Sequence, residues 1–309
     1  MSGVPINNEV LVIVAPPSQK EIIEMSVVSI ADHPNPNQAL TQALDALDLQ
    51  GLFTNKVVAV KPNETWASAR DCTAVTQADN LETTLAYIKR RHSRRLIAAG
   101  GAGACETEDV FRISGMMDAV KQQEAEFVDL NRPPFTRVKL DYGPEAELVV
   151  NPIVNQIEVW VSLALLKVHG VTKVTLAMKN MGMSLPAADY YGHPRMKLSH
   201  ASKAMSDFII GVVRRFPISL AIITGHPAMV DRGPTHGRVV ETGLVIASRD
   251  AVAADAVGAA VLGFDPLRIR HIAEAGQLGL GEADLSRIEI RGLSLEEAVQ
   301  RFRELTYKK

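Results

Sequence analysis

Short apolar runs alternate with stretches of helical amphipathic period through the first third of the chain. Val10–Ala15, Lys56–Lys61 and Arg95–Ala99 read as strands, and Asn37–Leu49 and Asn80–Arg91 read as helices between them. That order predicts right-handed βαβ units and a mainly parallel sheet. Thr107–Gln122 reads as a further helix with Thr107 as its N-cap. From Asn131 to Pro152, the Arg132-Pro-Pro-Phe and Asp141-Tyr-Gly-Pro turn signals flank a strand pair. Ile157–Leu166, rich in β-branched and aromatic residues, reads as a buried strand that emerges at Lys167. Beyond it come a loop at Ser184–Ser199, a helix at Ala201–Arg214, strands at Leu220–Thr224 and Val239–Ala247, and a small-residue helix capped by Asp250. The chain closes on helix, strand (Arg287–Arg291), helix. The expected fold is α/β: a mainly parallel sheet with helices on both faces, in two lobes around a cleft. Residues 1–309 are read as one unit, with Phe216-Pro217 as the crossing between the lobes.

Composition narrows the function classes. The 33 basic residues against 35 acidic ones give a net charge of −2, and the longest basic cluster, Lys89–Arg95, ends a helix as a solvated face, so nothing favours nucleic acid. Cys72 and Cys105 are the only cysteines and form no CxxC pair, so one chain builds neither an iron-sulfur cluster nor a cysteine zinc site. With no apolar run of spanning length and no signal-peptide start, the expected setting is the cytoplasm, away from membranes, with a homodimer left open.

Chemistry concentrates where the buried Ile157–Leu166 strand ends. Lys167-Val-His169-Gly and Lys179-Asn180-Met-Gly182 place two lysines, an imidazole and an amide in an otherwise apolar run. On a strand Lys167 and His169 share one face. Such groups are costly to bury unless paired, so the cluster points to an anionic ligand, a metal or acid/base chemistry. Lys61-Pro62-Asn63 ends another strand, where ligands of open α/β sheets bind, or forms a capped turn. Gly100-Gly101-Ala-Gly103 joins a strand to a helix start, an arrangement whose free N–H groups suit a small anion; it fits neither the dinucleotide nor the phosphate-loop fingerprint. Arg195 and His200 follow in a turn-rich segment, and Thr224–Gly237 is either the opposite wall of the cleft or a connection.

Taken in order, Lys61-Pro62-Asn63, Gly100-Gly101, Lys167-x-His169, Thr175-Leu-Ala-Met-Lys179-Asn180-x-Gly182, Arg195, His200, Gly233-Pro234 and Asp255-Ala-Val-Gly258 resemble the uncharacterised family called domain of unknown function 362. That family is in turn distantly similar to the lactate racemases. The latter resemblance implies a nickel pincer cofactor tethered to Lys179, a catalytic His169 ten residues before it, and His200 as a nickel ligand. It also implies a second proton-exchange histidine and a substrate-gripping arginine, for which this chain shows no counterpart.

The leading expectation is an enzyme of isomerase or racemase type that moves protons on a small anionic metabolite, with nickel or another transition metal as its candidate cofactor. His169 would be the acid or base, Lys179 a tether or electrostatic stabiliser, and Asn180 an orienting group. Lys61, Asn63, Gly100, Gly101, Lys167 and Arg195 would hold the substrate, and His200 a metal. A non-catalytic small-anion or cofactor-binding protein and a redox accessory protein are the alternatives.

Overall fold

The computed structural model describes residues 25–307, so the strand expected at Val10–Ala15 lies outside the described residues. The first half comprises β1 (Ser26–Asp32), α1 (Pro36–Asp45), β2 (Val57–Pro62), α2 (Ala78–Lys89), β3 (Arg95–Gly100), α3 (Thr107–Ile113), α4 (Met116–Gln122), β4 (Glu126–Asp129), β5 (Thr136–Lys139) and β6 (Glu147–Val150). The second comprises β7 (Val159–His169), β8 (Lys173–Thr175), α5 (Ala177–Gly182), α6 (Ala188–Tyr191), α7 (Ser202–Arg215), β9 (Leu220–Val230), β10 (Arg238–Val240) and β11 (Leu244–Ser248). It ends with α8 (Ala251–Val261), α9 (Arg270–Gln277), β12 (Ile288–Gly292) and α10 (Leu295–Tyr307).

Ten strands form one mostly parallel sheet whose main path is β12-β1-β11-β9-β7-β2-β3-β4, with β10 on β9 and β8 on β7. β4, β3, β2, β7 and β9 run parallel, as do β1 and β12, while β11 lies antiparallel to both β1 and β9. The reason is visible in the side chains. Val58, Val60, Val161 and Leu163 face one apolar cluster with α1 to α4. Ala59, Trp160, Ala164 and Leu166 face the other, with α5 and α7 to α10. A strand apolar on both sides must be covered on both sides, which is the condition for a parallel sheet between helix layers. β5 and β6 form a separate antiparallel hairpin, as the turn signals at Arg132 and Asp141 indicated.

Several boundaries differ from the pattern reading for local reasons. The helix expected over Thr107–Gln122 breaks at Gly115, which sits at φ 78, and becomes α3 and α4. Thr107 does not cap it: Glu106 is the N-cap residue, and the Thr107 hydroxyl instead accepts from Ala102 N and Asn131 Nδ2. The strand expected over Val239–Ala247 is split into β10 and β11 by a turn with Gly243 at φ 69. Asp250 does cap α8, accepting from Val252 N and Ala253 N at 2.9 and 3.0 Å. Phe216-Pro217, expected to cross between lobes, joins α7 to β9, so the strands that precede and follow it belong to the same sheet.

This topology positions the site. From β2 the chain steps outward through β3 to β4, then returns to lay β7 on the other side of β2 before moving on to β9. The winding direction therefore reverses between β2 and β7. In open α/β sheets a crevice forms at the carboxyl ends of the strands where this happens, and Lys61 and Lys167 stand at those two ends.

Candidate functional site

The hydrogen bonds at this reversal knit the two strands to α5. Lys61, fully buried, points its ammonium at Glu64, the Pro62 carbonyl and Asn180 Oδ1, the last at 3.2 Å. Asn180 returns its amide to the Lys61 carbonyl and to Ser162 Oγ, both at 3.0 Å. Its Oδ1 also accepts from Asn63 Nδ2 at 3.2 Å. Asn63 Oδ1 in turn accepts from Lys167 Nζ at 2.7 Å, and the same ammonium reaches the carbonyls of Ala74 at 2.9 Å and Pro234 at 3.3 Å. The Thr224–Gly237 segment is thus part of the wall around Lys167. The three donors of Lys61 and of Lys167 each have protein acceptors. These lysines lend positive charge to the site and offer no spare hydrogen bond.

Burial lowers the pKa of Lys61, opposed by Glu64. For Lys167, burial and then the positive charge of Lys179 lower it to about 7. Both directions follow from desolvation, which disfavours the charged form of a base.

Lys179, on α5, is the exception. It is half-buried, its ammonium has no hydrogen-bond or ion-pair partner among the described residues, and burial lowers its pKa to about 8. His169 ends β7 beside it, with Nδ1 accepting from the N–H groups of Val171 at 3.0 Å and Thr172 at 3.3 Å. A neutral ring fixed this way carries its proton on Nε2. Burial, then Lys179, Lys167 and His271, push its pKa down to about 2. The role expected for His169 changes accordingly: its lone pair is occupied, and what it presents is an Nε2–H donor.

α5 is itself held by a buried acid. Asp255 of α8, with no exposed surface, accepts from Ala177 N at 2.7 Å and Met178 N at 3.0 Å. Burial raises its pKa to about 7 against the pull of these two bonds. α5 also packs on β7 and α7, so the turn carrying Lys179 and Asn180 is braced on three sides.

The glycine-rich loop and Arg195 serve another purpose than the one expected. The Gly101 N–H donates to Glu64 Oε1 at 2.8 Å, so the anion it holds is a protein carboxylate. A Cβ at Gly101 would strike the Ser184 carbonyl, and one at Gly100 would strike Thr107 and Phe111. Arg195 is buried and donates to the carbonyls of Gly101, Ala102, Ser184 and Pro186 and to Asn131 Oδ1. Burial lowers its pKa to about 10. Its fork ties the Gly101–Ala102 turn to the 184–195 segment and is not free to grip a substrate. His200 is exposed on the loop after Arg195, its Nε2 3.3 Å from the Pro194 carbonyl oxygen.

The structure therefore brings Lys61, Asn63, Lys167 and Asn180 into one bonded network, with His169 and Lys179 in electrostatic contact with it. Sequence reasoning passed over Glu64, Ser162 and His271 and used Asp255 only as a family motif. Glu64 was findable, since it stands three residues after Lys61 in the same turn, and Asp255 is the one charge in an Ala/Val helix. His271, on α9, carried no sequence signal. It is fully buried with neither ring nitrogen hydrogen-bonded among the described residues, and burial and then Lys179 lower its pKa to about 3.

Residues 58–260, from β2 to α8, match the family described as Domain of unknown function (DUF362). The chain belongs to that family. The match takes in every residue of the bonded network, together with His169, Lys179 and Asp255, and stops before His271. No curated protein matches the chain. The likeness to lactate racemases implies His200 as the nickel ligand, and the described donors give that position no support. His200 is exposed against a carbonyl, and among the described residues no group of three or more His, Cys, Asp or Glu side chains is placed to hold a metal.

Proposed function

We propose that this chain binds a small anionic metabolite at the junction of β2 and β7 and carries out proton-transfer chemistry of isomerase or racemase type on it. The observation that carries the reading is the Lys179 ammonium, which has no partner among the described residues although it lies in electrostatic reach of Lys167, while Glu64 is bonded to Lys61 and Gly101. Uncompensated positive charge at the mouth of a buried network favours an anion as its missing partner. With a pKa of about 8, roughly a tenth of Lys179 is free amine at pH 7, enough to supply a reactive lone pair. His169 Nε2–H would donate to oxygen on which charge develops, the role a fixed neutral imidazole suits. Asn180, bonded to Lys61, Asn63 and Ser162, holds the turn that carries Lys179 and so acts as a positioning group. The free state of Cys72 and Cys105 suits a reducing cytoplasm.

The test is proton exchange. Small carboxylates and oxo acids incubated with the protein in D2O and followed by proton NMR should lose carbon-bound proton signal from at least one compound, and Lys179→Met should abolish that loss. Failure of every compound to exchange, with oxalate binding unaffected by Lys179→Met, would remove the reading and leave no role for Lys179 as an anion-facing amine.

A further inference from the structure

Building on the reading of Lys179 as the reactive amine, we propose that it is a nucleophile that captures a small 2-oxo acid as an imine. A lysine becomes nucleophilic when it lacks a carboxylate partner, lies among other cations and is shielded from water. Lys179 meets the first two conditions and part of the third: its ammonium has no ion pair or hydrogen bond among the described residues, Lys167 is its electrostatic neighbour, and it is half-buried on a helix packed between β7, α7 and α8. A general base alone would be served by a carboxylate or by a histidine with a free lone pair. Here the two buried carboxylates bonded to these elements are committed, Glu64 to Lys61 and Gly101 and Asp255 to α5. His169 has its Nδ1 occupied, and although the His271 ring nitrogens are unbonded among the described residues, its full burial and then the Lys179 charge resist its protonation.

The step balances without a further reactant. The Lys179 lone pair forms a C–N bond to the carbonyl carbon as the C=O π pair moves to oxygen. The two amine protons leave with that oxygen as water, and the resulting imine takes one proton from solvent. The positive nitrogen then draws electrons from the adjacent C–H bond, whose proton passes to solvent, which links capture to the exchange chemistry above. The carboxylate of the oxo acid answers the field of Lys61 and Lys167, so an uncharged ketone should be a poor substitute.

Cyanoborohydride trapping decides this. The full-length protein at pH 7 is incubated with 2-oxobutyrate and cyanoborohydride, then digested and mapped by mass spectrometry. The expected result is the increment of one reduced 2-oxobutyrate on Lys179, roughly ten-fold or more above that on exposed Lys121, with butanone labelling Lys179 far more slowly. Label on Lys121 but not on Lys179 overturns the proposal, and equal labelling by butanone overturns its assignment to oxo acids. Lys179-dependent deuterium exchange without trapping would sink the imine alone, whereas loss of exchange and of anion binding would sink the underlying reading.

Discussion

Replacing Lys179 by Met should make the protein more stable and inactive at once. Met keeps the unbranched stem and its packing while removing the charge. The Lys179 pKa falls from 10.5 to about 8 on folding, and each unit corresponds to about 1.4 kcal/mol, so the cost of holding the ammonium has a ceiling of about 3–4 kcal/mol. Half-burial leaves solvent to screen part of that, and a gain of about 1–2 kcal/mol is the expected remainder. For a chain of this size that is a rise in melting temperature of roughly 2–6 °C. The sign of the pH dependence is fixed by linkage. A base whose folded pKa is lowered destabilises the fold fully below that pKa, and the penalty fades as pH climbs toward the unfolded value. Urea unfolding should therefore show the variant ahead by a constant margin up to about pH 8, with the gap closing by about pH 10.5. A variant less stable than the parent at pH 6 to 8 would refute the reasoning and make Lys179 a packing residue.

Asp255→Asn removes an acid whose folded pKa is raised from 3.8 to about 7, so parent stability should fall relative to the variant as pH rises from about 4 to 7, on top of a loss of about 1–3 kcal/mol for leaving one α5 N–H unpaired; parallel pH profiles for the two proteins would contradict this. Glu64→Gln strips the counter-charge from buried Lys61 and should cost about 3–5 kcal/mol in equilibrium unfolding. The double change Lys61→Met/Glu64→Leu should recover much of that loss, and a near-neutral single variant would show that the pair matters little.

How much was legible follows from which groups interact locally. The alternation of Val57–Lys61 and Arg95–Ala99 with amphipathic helices fixed the parallel sheet, because apolar residues on both strand faces require helices on both. The polar positions at strand ends, Lys61, Lys167 and His169, were legible because charge in an apolar run is costly and so marks a site. What the pattern missed depends on distant partners. β1 and β4, Ser26–Asp32 and Glu126–Asp129, find their places only by pairing with β11, β12 and β3. Arg195 read as a substrate clamp because its carbonyl acceptors at Gly101, Ala102, Ser184 and Pro186 lie on segments that meet only in the folded chain. His169 read as either base or acid because nothing in its sequence shows that the tight turn after it directs two N–H groups at Nδ1.

The central claim, that Lys179 is an ammonium without a counter-charge awaiting an anion, is tested most directly by NMR titration of the protein with 13C-labelled lysine, the Lys179 signal being assigned by its absence in Lys179→Met. The account predicts a midpoint near 8 for Lys179 and an upward shift on adding oxalate, whose negative charge favours the ammonium. A midpoint at the ordinary lysine value of about 10.4, unmoved by oxalate, would contradict it.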